Sequence, residues 1–130
     1  GVGLPLPSHL TATGRAILSA LPRNQVRALY PNRQAFTDRT GIGPKSPKEL
    51  EATLAETQRT GFAEEHGDVT PGFDSYAVAV RDYNDLPIAG LALTFVSGSL
   101  RPEQERSLKT KLRLAGTELS RRLGAVGSLT

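Results

Sequence analysis

Glu64, Glu65, His66 and Asp68 crowd one short stretch, and an imidazole among carboxylates is the raw material of a metal site or an acid–base pair. The spacing fits neither. It is not the His-Glu-x-x-His pair of a helical zinc site, nor a recognised ligand loop. Glu64 and Glu65 are adjacent in an extended segment, so they project to opposite faces and cannot work on one substrate. The stretch reads as a solvated acidic loop. Gly41-Ile42-Gly43-Pro44-Lys45-Ser46 has the look of a phosphate loop, but Pro44 stands where a glycine amide is needed, and no strand precedes it. Gly98-Ser99 lacks the Gly-x-Ser-x-Gly frame of a nucleophile elbow. His9 lies far from His66 in the chain. No nucleophile, base and orienter assemble, so the expectation is a non-enzyme with no metal and no cofactor.

The elements that must position any site follow from composition and period. At 130 residues, with 38% hydrophobic and 22% charged side chains, the chain suits one folded domain. Cysteine is absent, which excludes disulfides and thiolate metal sites and agrees with a reducing, cytoplasmic location. No apolar run is long enough for a membrane span. Residues 1–7 carry no basic n-region of a signal peptide and begin abruptly, as a piece of something longer would. Much of the net charge of +3 sits in residues 101–122. No aromatic residue lies among those cations, and they alternate with leucines. The segment therefore reads as the outer face of an amphipathic helix and not as a nucleic-acid surface.

Helical spacing covers residues 11–21, with Thr11 as N-cap and Pro22 as the stop, and again 23–30. Residues 31–45 read as an irregular crossing loop. Ser46-Pro47-Lys48-Glu49 is a capping box with proline at the first helical position, and Gly61 is placed to end that helix. The period then turns to alternation. Residues 62–65, 74–81 and 87–96 read as strands, the last two joined through Asp82-Tyr83-Asn84-Asp85. Pro102 opens a long helix whose stripe is Leu108, Leu112, Ala115, Leu119 and Leu123, with Gly124 as its stop. This order predicts an α/β (α+β) domain with an antiparallel sheet.

A two-residue turn at Tyr83-Asn84 would put Ser75, Ala77 and Ala79 beside Ala92, Gly90 and Ile88 on one face. Tyr76, Val78 and Val80 would lie beside Leu91, Ala89 and Pro87 on the other, which has the bulk of a core. The first face is mostly small. Either a closely packed helix or a ligand can cover such a face.

In order and with fitting spacings, these segments resemble the effector-binding domain of the IclR family of bacterial transcription regulators. The resemblance begins at Val2-Gly3 and runs through Leu6-Pro7-Ser8-His9-Leu10-Thr11-Ala12-Thr13-Gly14-Arg15-Ala16, then Ser46 to Leu50 and Thr60-Gly61-Phe62-Ala63. Asp68 and Gly72 are similar to the family's Glu-x-x-x-Gly loop. The hairpin from Ala77 to Leu91 follows, and Leu119-Ser120-Arg121-Arg122-Leu123-Gly124 closes it. Asp68 stands for a usual Glu, and Arg15 for a usual Lys.

The resemblance implies a GAF-like antiparallel sheet flanked by helices, incomplete at its N-terminal side, where a helix and two strands are expected. It implies a small-molecule effector, a carboxylate or aromatic compound, and no membrane partner. It implies a homodimer or homotetramer that meets DNA only through a winged helix-turn-helix domain outside this chain. The effector-contacting positions would be Leu6, Ala12, Thr13, Glu65, Phe73, Ser75, Ala92 and Thr94. An oligomerisation module without a working pocket is the alternative.

Overall fold

Thr11 starts the first helix as its spacing predicts. In the computed structural model, which describes residues 7–125, its hydroxyl accepts from the Gly14 amide at 2.9 Å. Helix α1 (Ala12–Ser19) is shorter than expected, because its last turn tightens at Ala20 and Leu21 before Pro22. Helix α2 (Arg23–Leu29) buries none of its residues. A crossing segment with one 3-10 turn (Arg33–Ala35) then leads to α3 (Pro47–Thr60). The Ser46 hydroxyl accepts from the Glu49 amide at 3.2 Å, and the Glu49 carboxylate reaches back to the Lys45 amide at 3.0 Å. Gly61 ends α3 in the left-handed conformation, φ 84°.

Strands β1 (Ala63–His66), β2 (Phe73–Arg81) and β3 (Pro87–Val96) form an antiparallel sheet in that order. Helix α4 (Pro102–Arg122) follows. Helix α1 lies on one face of the sheet and α4 on the other, while α3 packs against α1. Leu18, Tyr30, Leu50 and Leu54 fill the space between the helices. Phe62, Tyr76, Val78 and Leu112 form the core beneath α4, on the bulky face expected from the alternation. The small face carries α1, with Ala12 and Ala16 against Ala63 and Ala77. The helix sits so low that a Cβ at Gly90 would meet Thr13 Cγ2 at 2.4 Å.

The hairpin turn departs from the expected two-residue form. Residues 82–86 make the connection, held by the Asp82 carboxylate, which accepts from the Asn84 and Leu86 amides at 2.9 and 3.1 Å. A bulge between Val80 and Arg81 takes up the odd residue. The pairing is therefore Ser75 with Thr94, Ala77 with Ala92 and Ala79 with Gly90. The register moves by two positions, so each residue keeps its face while Ile88 slides past Ala79.

The stripe of α4 is also rotated from the expected one. Leu112, Gly116 and Ser120 are buried, whereas Ala115 is exposed and Leu119 and Leu123 are 42% and 40% exposed. Two contacts set this rotation. Val78 occupies the notch at Gly116, where a Cβ would meet Val78 Cγ2 at 2.6 Å, and the Ser120 hydroxyl accepts from the Arg81 amide at 3.0 Å. Gly116→Ala should thus lower the thermal midpoint. Overpacking against a stiff β-branched side chain costs about 1–3 kcal/mol, more than the roughly 1 kcal/mol of helix propensity gained. A midpoint equal to or above the wild type would show that α4 does not seat on Val78.

Candidate functional site

A cavity of about 510 Å³ opens where the small face of the sheet runs out from under α1. The first turn of α1 supplies Thr11, Ala12 and Thr13, and β1 supplies Glu65. The connection between β1 and β2 supplies Val69 and Thr70. Phe73 and Ser75 of β2, with Ala92 and Thr94 of β3, complete the wall. Seven of the eight expected effector positions thus share one cavity: Ala12, Thr13, Glu65, Phe73, Ser75, Ala92 and Thr94. Leu6 lies outside the described residues. Thr11, Val69 and Thr70 were not anticipated. The signal for the last two was the span between Gly67 and Gly72, both at positive φ, which folds the connection back over the strand ends.

The polar groups divide into two sets. On the α1 side, the Thr11 side chain and carbonyl take the Gly14 and Arg15 amides, which leaves the Ala12 and Thr13 amides without a partner among the described residues. On the sheet side, the Ser75 and Thr94 hydroxyls bond each other at 2.8 Å. Glu65 is 4% exposed, and its Oε2 accepts from the Asp68 amide at 3.0 Å. Its other oxygen has no hydrogen bond among the described residues. Among the described residues no Lys, Arg or His side chain lines the cavity. Such a site can accept a carboxylate on helix amides and a hydroxyl on Glu65, Ser75 or Thr94, with Phe73 and Ala92 as apolar flanks.

The acidic stretch divides between the two faces. Asp68 turns inward to Arg15, their Oδ2 and Nη2 2.5 Å apart. His66 lies on the other face with Asp74, Nδ1 to Oδ2 3.1 Å, and with Glu64, which in turn meets Lys109 at 2.7 Å. Among the described residues no three His, Cys, Asp or Glu side chains could hold a metal. His9 lies outside the cavity. Its Nε2 bonds the Thr37 carbonyl at 3.0 Å, and its ring packs edge-on against Tyr30 and Phe36.

The model of the bacterial transcriptional regulator IclR C-terminal family matches residues 1–121. The chain belongs to this family. It is similar to the glycerol operon regulatory protein of Streptomyces coelicolor, 32% identical over 95% of this chain and 48% of that protein. It is also similar to the HTH-type transcriptional regulator XynR of Escherichia coli, 29% identical over 95% of this chain and 48% of that protein. An IclR-type regulator from Silicibacter sp. TM1040 superposes with a TM-score of 0.78 at 29% identity, covering 91% of this chain and 46% of that one. Both relatives are regulatory proteins, and this IclR C-terminal chain spans about half their length. No helix among the described residues is long and apolar enough to cross a membrane.

The two histidines of this IclR domain titrate in opposite senses. Burial holds His9 below its usual 6.5, aided by the Arg15 charge and opposed by the Thr37 carbonyl. Partial burial pulls His66 down as well, but the Asp74 and Glu64 carboxylates outweigh it and raise the imidazole above 6.5. A histidine raised on folding stabilises fully below 6.5 and loses that contribution as pH climbs through the folded value. A lowered one contributes fully above 6.5 and loses it as pH falls. In denaturant titrations between about pH 5 and 8, the advantage of the wild type over His66→Gln should be largest at the acid end and shrink towards the other. An advantage that does not change with pH would exclude the Asp74 and Glu64 ion pairs.

Proposed function

We propose that this chain is the effector-sensing part of a transcriptional regulator, which binds a small organic acid or aromatic metabolite in the cavity between α1 and the sheet. The observation that carries this reading is the cavity itself, which brings unpartnered helix amides and a hydrogen-bonding carboxylate together on a small-residue floor. A hydroxy acid or phenolic acid suits it best. Its carboxylate would take the Ala12 and Thr13 amides, and its hydroxyl would donate to Glu65, so that the two negative groups stay at opposite ends of the ligand. Binding would bias the arrangement of a DNA-binding domain carried elsewhere in the polypeptide, through unequal affinity for two states. The sensing domain is cytoplasmic and homo-oligomeric in this reading.

A second reading, an oligomerisation module, draws on α4. The exposed Leu119 and, one turn on, the cap residue Leu123 offer a small apolar surface at its end to another copy of the chain. Sedimentation tests this contact: Leu119→Glu with Leu123→Glu should reduce the particle to monomers if the end of α4 makes it.

The sensing role is tested by thermal shift against 3-hydroxybenzoate, benzoate, lactate and glycerol. Ligand at about a hundred times its Kd stabilises a folded domain by roughly 2.7 kcal/mol, which is several degrees in midpoint. Stabilisation by 3-hydroxybenzoate should exceed that by benzoate, vanish in Ser75→Leu and persist in His66→Ala. If none of these compounds shifts a folded protein, sensing of hydroxy acids at this cavity is excluded.

A further inference from the structure

The two halves of the cavity belong to segments far apart in the chain, and one side chain joins them. Arg15 stands on α1 just after the turn that faces the cavity, and it is 4% exposed. Its Nε donates to the His9 carbonyl at 2.7 Å, Nη1 to the Glu64 carbonyl at 2.7 Å and Nη2 to the Asp68 carboxylate at 2.5 Å. Asp68 uses its second oxygen for the His66 amide at 3.0 Å, and its own amide holds the Glu65 carboxylate at 3.0 Å. A continuous hydrogen-bonded path therefore runs from the start of α1 to the Glu65 carboxylate in the cavity.

The crossing segment seals this path from above. Gly43 lies directly on the pair at φ 110°, where an added Cβ would meet Asp68 Oδ2 at 2.9 Å and Arg15 Nη2 at 3.3 Å. The Thr40 hydroxyl donates to the Gly67 and Asp68 carbonyls at 2.9 and 3.1 Å, and Arg39 donates to the Val69 carbonyl at 2.6 Å. Every backbone carbonyl from Gly67 to Val69 is thus held from the crossing side, immediately before the loop turns to wall the cavity.

We propose that Arg15 and Asp68 are a positioning pair for ligand binding: they touch no ligand, but they hold the Glu65 carboxylate and the Val69–Thr70 wall at a set distance from the first turn of α1. The proposal rests on the sensing reading for its consequence, and on local geometry for its mechanism. The guanidinium ties three acceptors in three segments together, and the spacing between α1 and the β1–β2 connection is set by the summed reach of the two side chains.

Two variants keep both charges while altering reach: Arg15→Lys shortens one arm and Asp68→Glu lengthens the other. Each should unfold cooperatively. In each, hydrogen exchange at the amides of residues 67–70 should quicken and affinity for 3-hydroxybenzoate should fall, both by about tenfold, the effect of one misplaced charged hydrogen bond. The combined variant restores the summed reach and should recover most of both, a rescue that generic destabilisation cannot give. Single variants with wild-type exchange at 67–70 and wild-type affinity would overturn the positioning role, as would a combined variant worse than either single one. If 3-hydroxybenzoate and lactate bind none of the proteins, the hydroxy-acid form of the sensing reading fails, while the exchange measurements still decide whether the pair sets the loop.

Discussion

A buried guanidinium is the constraint on which the rest of this fold turns. Removing an arginine from water costs several kcal/mol unless its donors are matched, and removing one partner of such a pair costs about 3–5 kcal/mol. Arg15 meets that demand with acceptors from the segment before α1, from β1 and from the β1–β2 connection. Each of these is placed partly by the others. The Glu64 carbonyl is where it is because β1 pairs with β2, with Glu64 opposite Tyr76. The Asp68 carboxylate is available only because Gly67 takes a positive φ and turns the chain back. The crossing segment must pass close above with no side chain at Gly43. A solvated surface would have allowed many arrangements. Satisfying one buried cation leaves few.

The small face of the sheet supplies the second constraint, and it accounts for both the packing and the cavity. Ala63, Ala77, Ala79 and Gly90 let α1 approach the strands closely, so burial is spread over many small contacts in place of a few large ones. The helix is only Ala12–Ser19, shorter than the strands it covers. Beyond its first turn the same small residues, Ser75 and Ala92, continue without a helix above them. A helix on small residues and a cavity over small residues are therefore two parts of one surface.

Period and punctuation carried most of the fold. The capped starts at Thr11 and Ser46, the left-handed stop at Gly61 and the face assignment of β2 and β3 are local properties, legible because each depends on residues a few positions apart. The turn was misjudged because Asp82 folds its own loop with its carboxylate, which lengthens the connection. The stripe of α4 was misjudged for a different reason. Leucine spacing reports which side of a helix is apolar, but Gly116 and Ser120, which read as gaps, make the contacts that orient it. The pairing of Arg15 with Asp68 is a tertiary fact with no local trace. Within the candidate site, alternation alone put Ser75 and Ala92 on one small face, and the resemblance joined the other five cavity residues to them. The Val69–Thr70 wall needed the backbone path between two glycines.

The electrostatics of the cavity follow from that same pairing. Arg15 is buried outside the cavity lining and directs three of its N–H donors to Asp68 and two carbonyls. An anion bound in the cavity would meet no cation among the described lining residues, only uncharged donors such as the amides at the start of α1, and a helix terminus contributes about 0.3–1 kcal/mol in an exposed setting and up to roughly 2 kcal/mol when partly buried. That is too little for tight binding by charge. At about 25 cal/mol per Å², covering some 100–200 Å² of apolar ligand and wall is worth about 2.5–5 kcal/mol, which makes contact with Phe73, Val69 and Ala92 the larger contribution. In the proposed site Glu65 would act on choice more than on strength. A ligand with a donor at that end would satisfy the second oxygen of a buried carboxylate, and one without it would leave that oxygen unpaired at a cost of about 1–3 kcal/mol. Discrimination in such a cavity is set by the mismatched ligand, because the penalty for the unpaired group exceeds the net gain from the paired one.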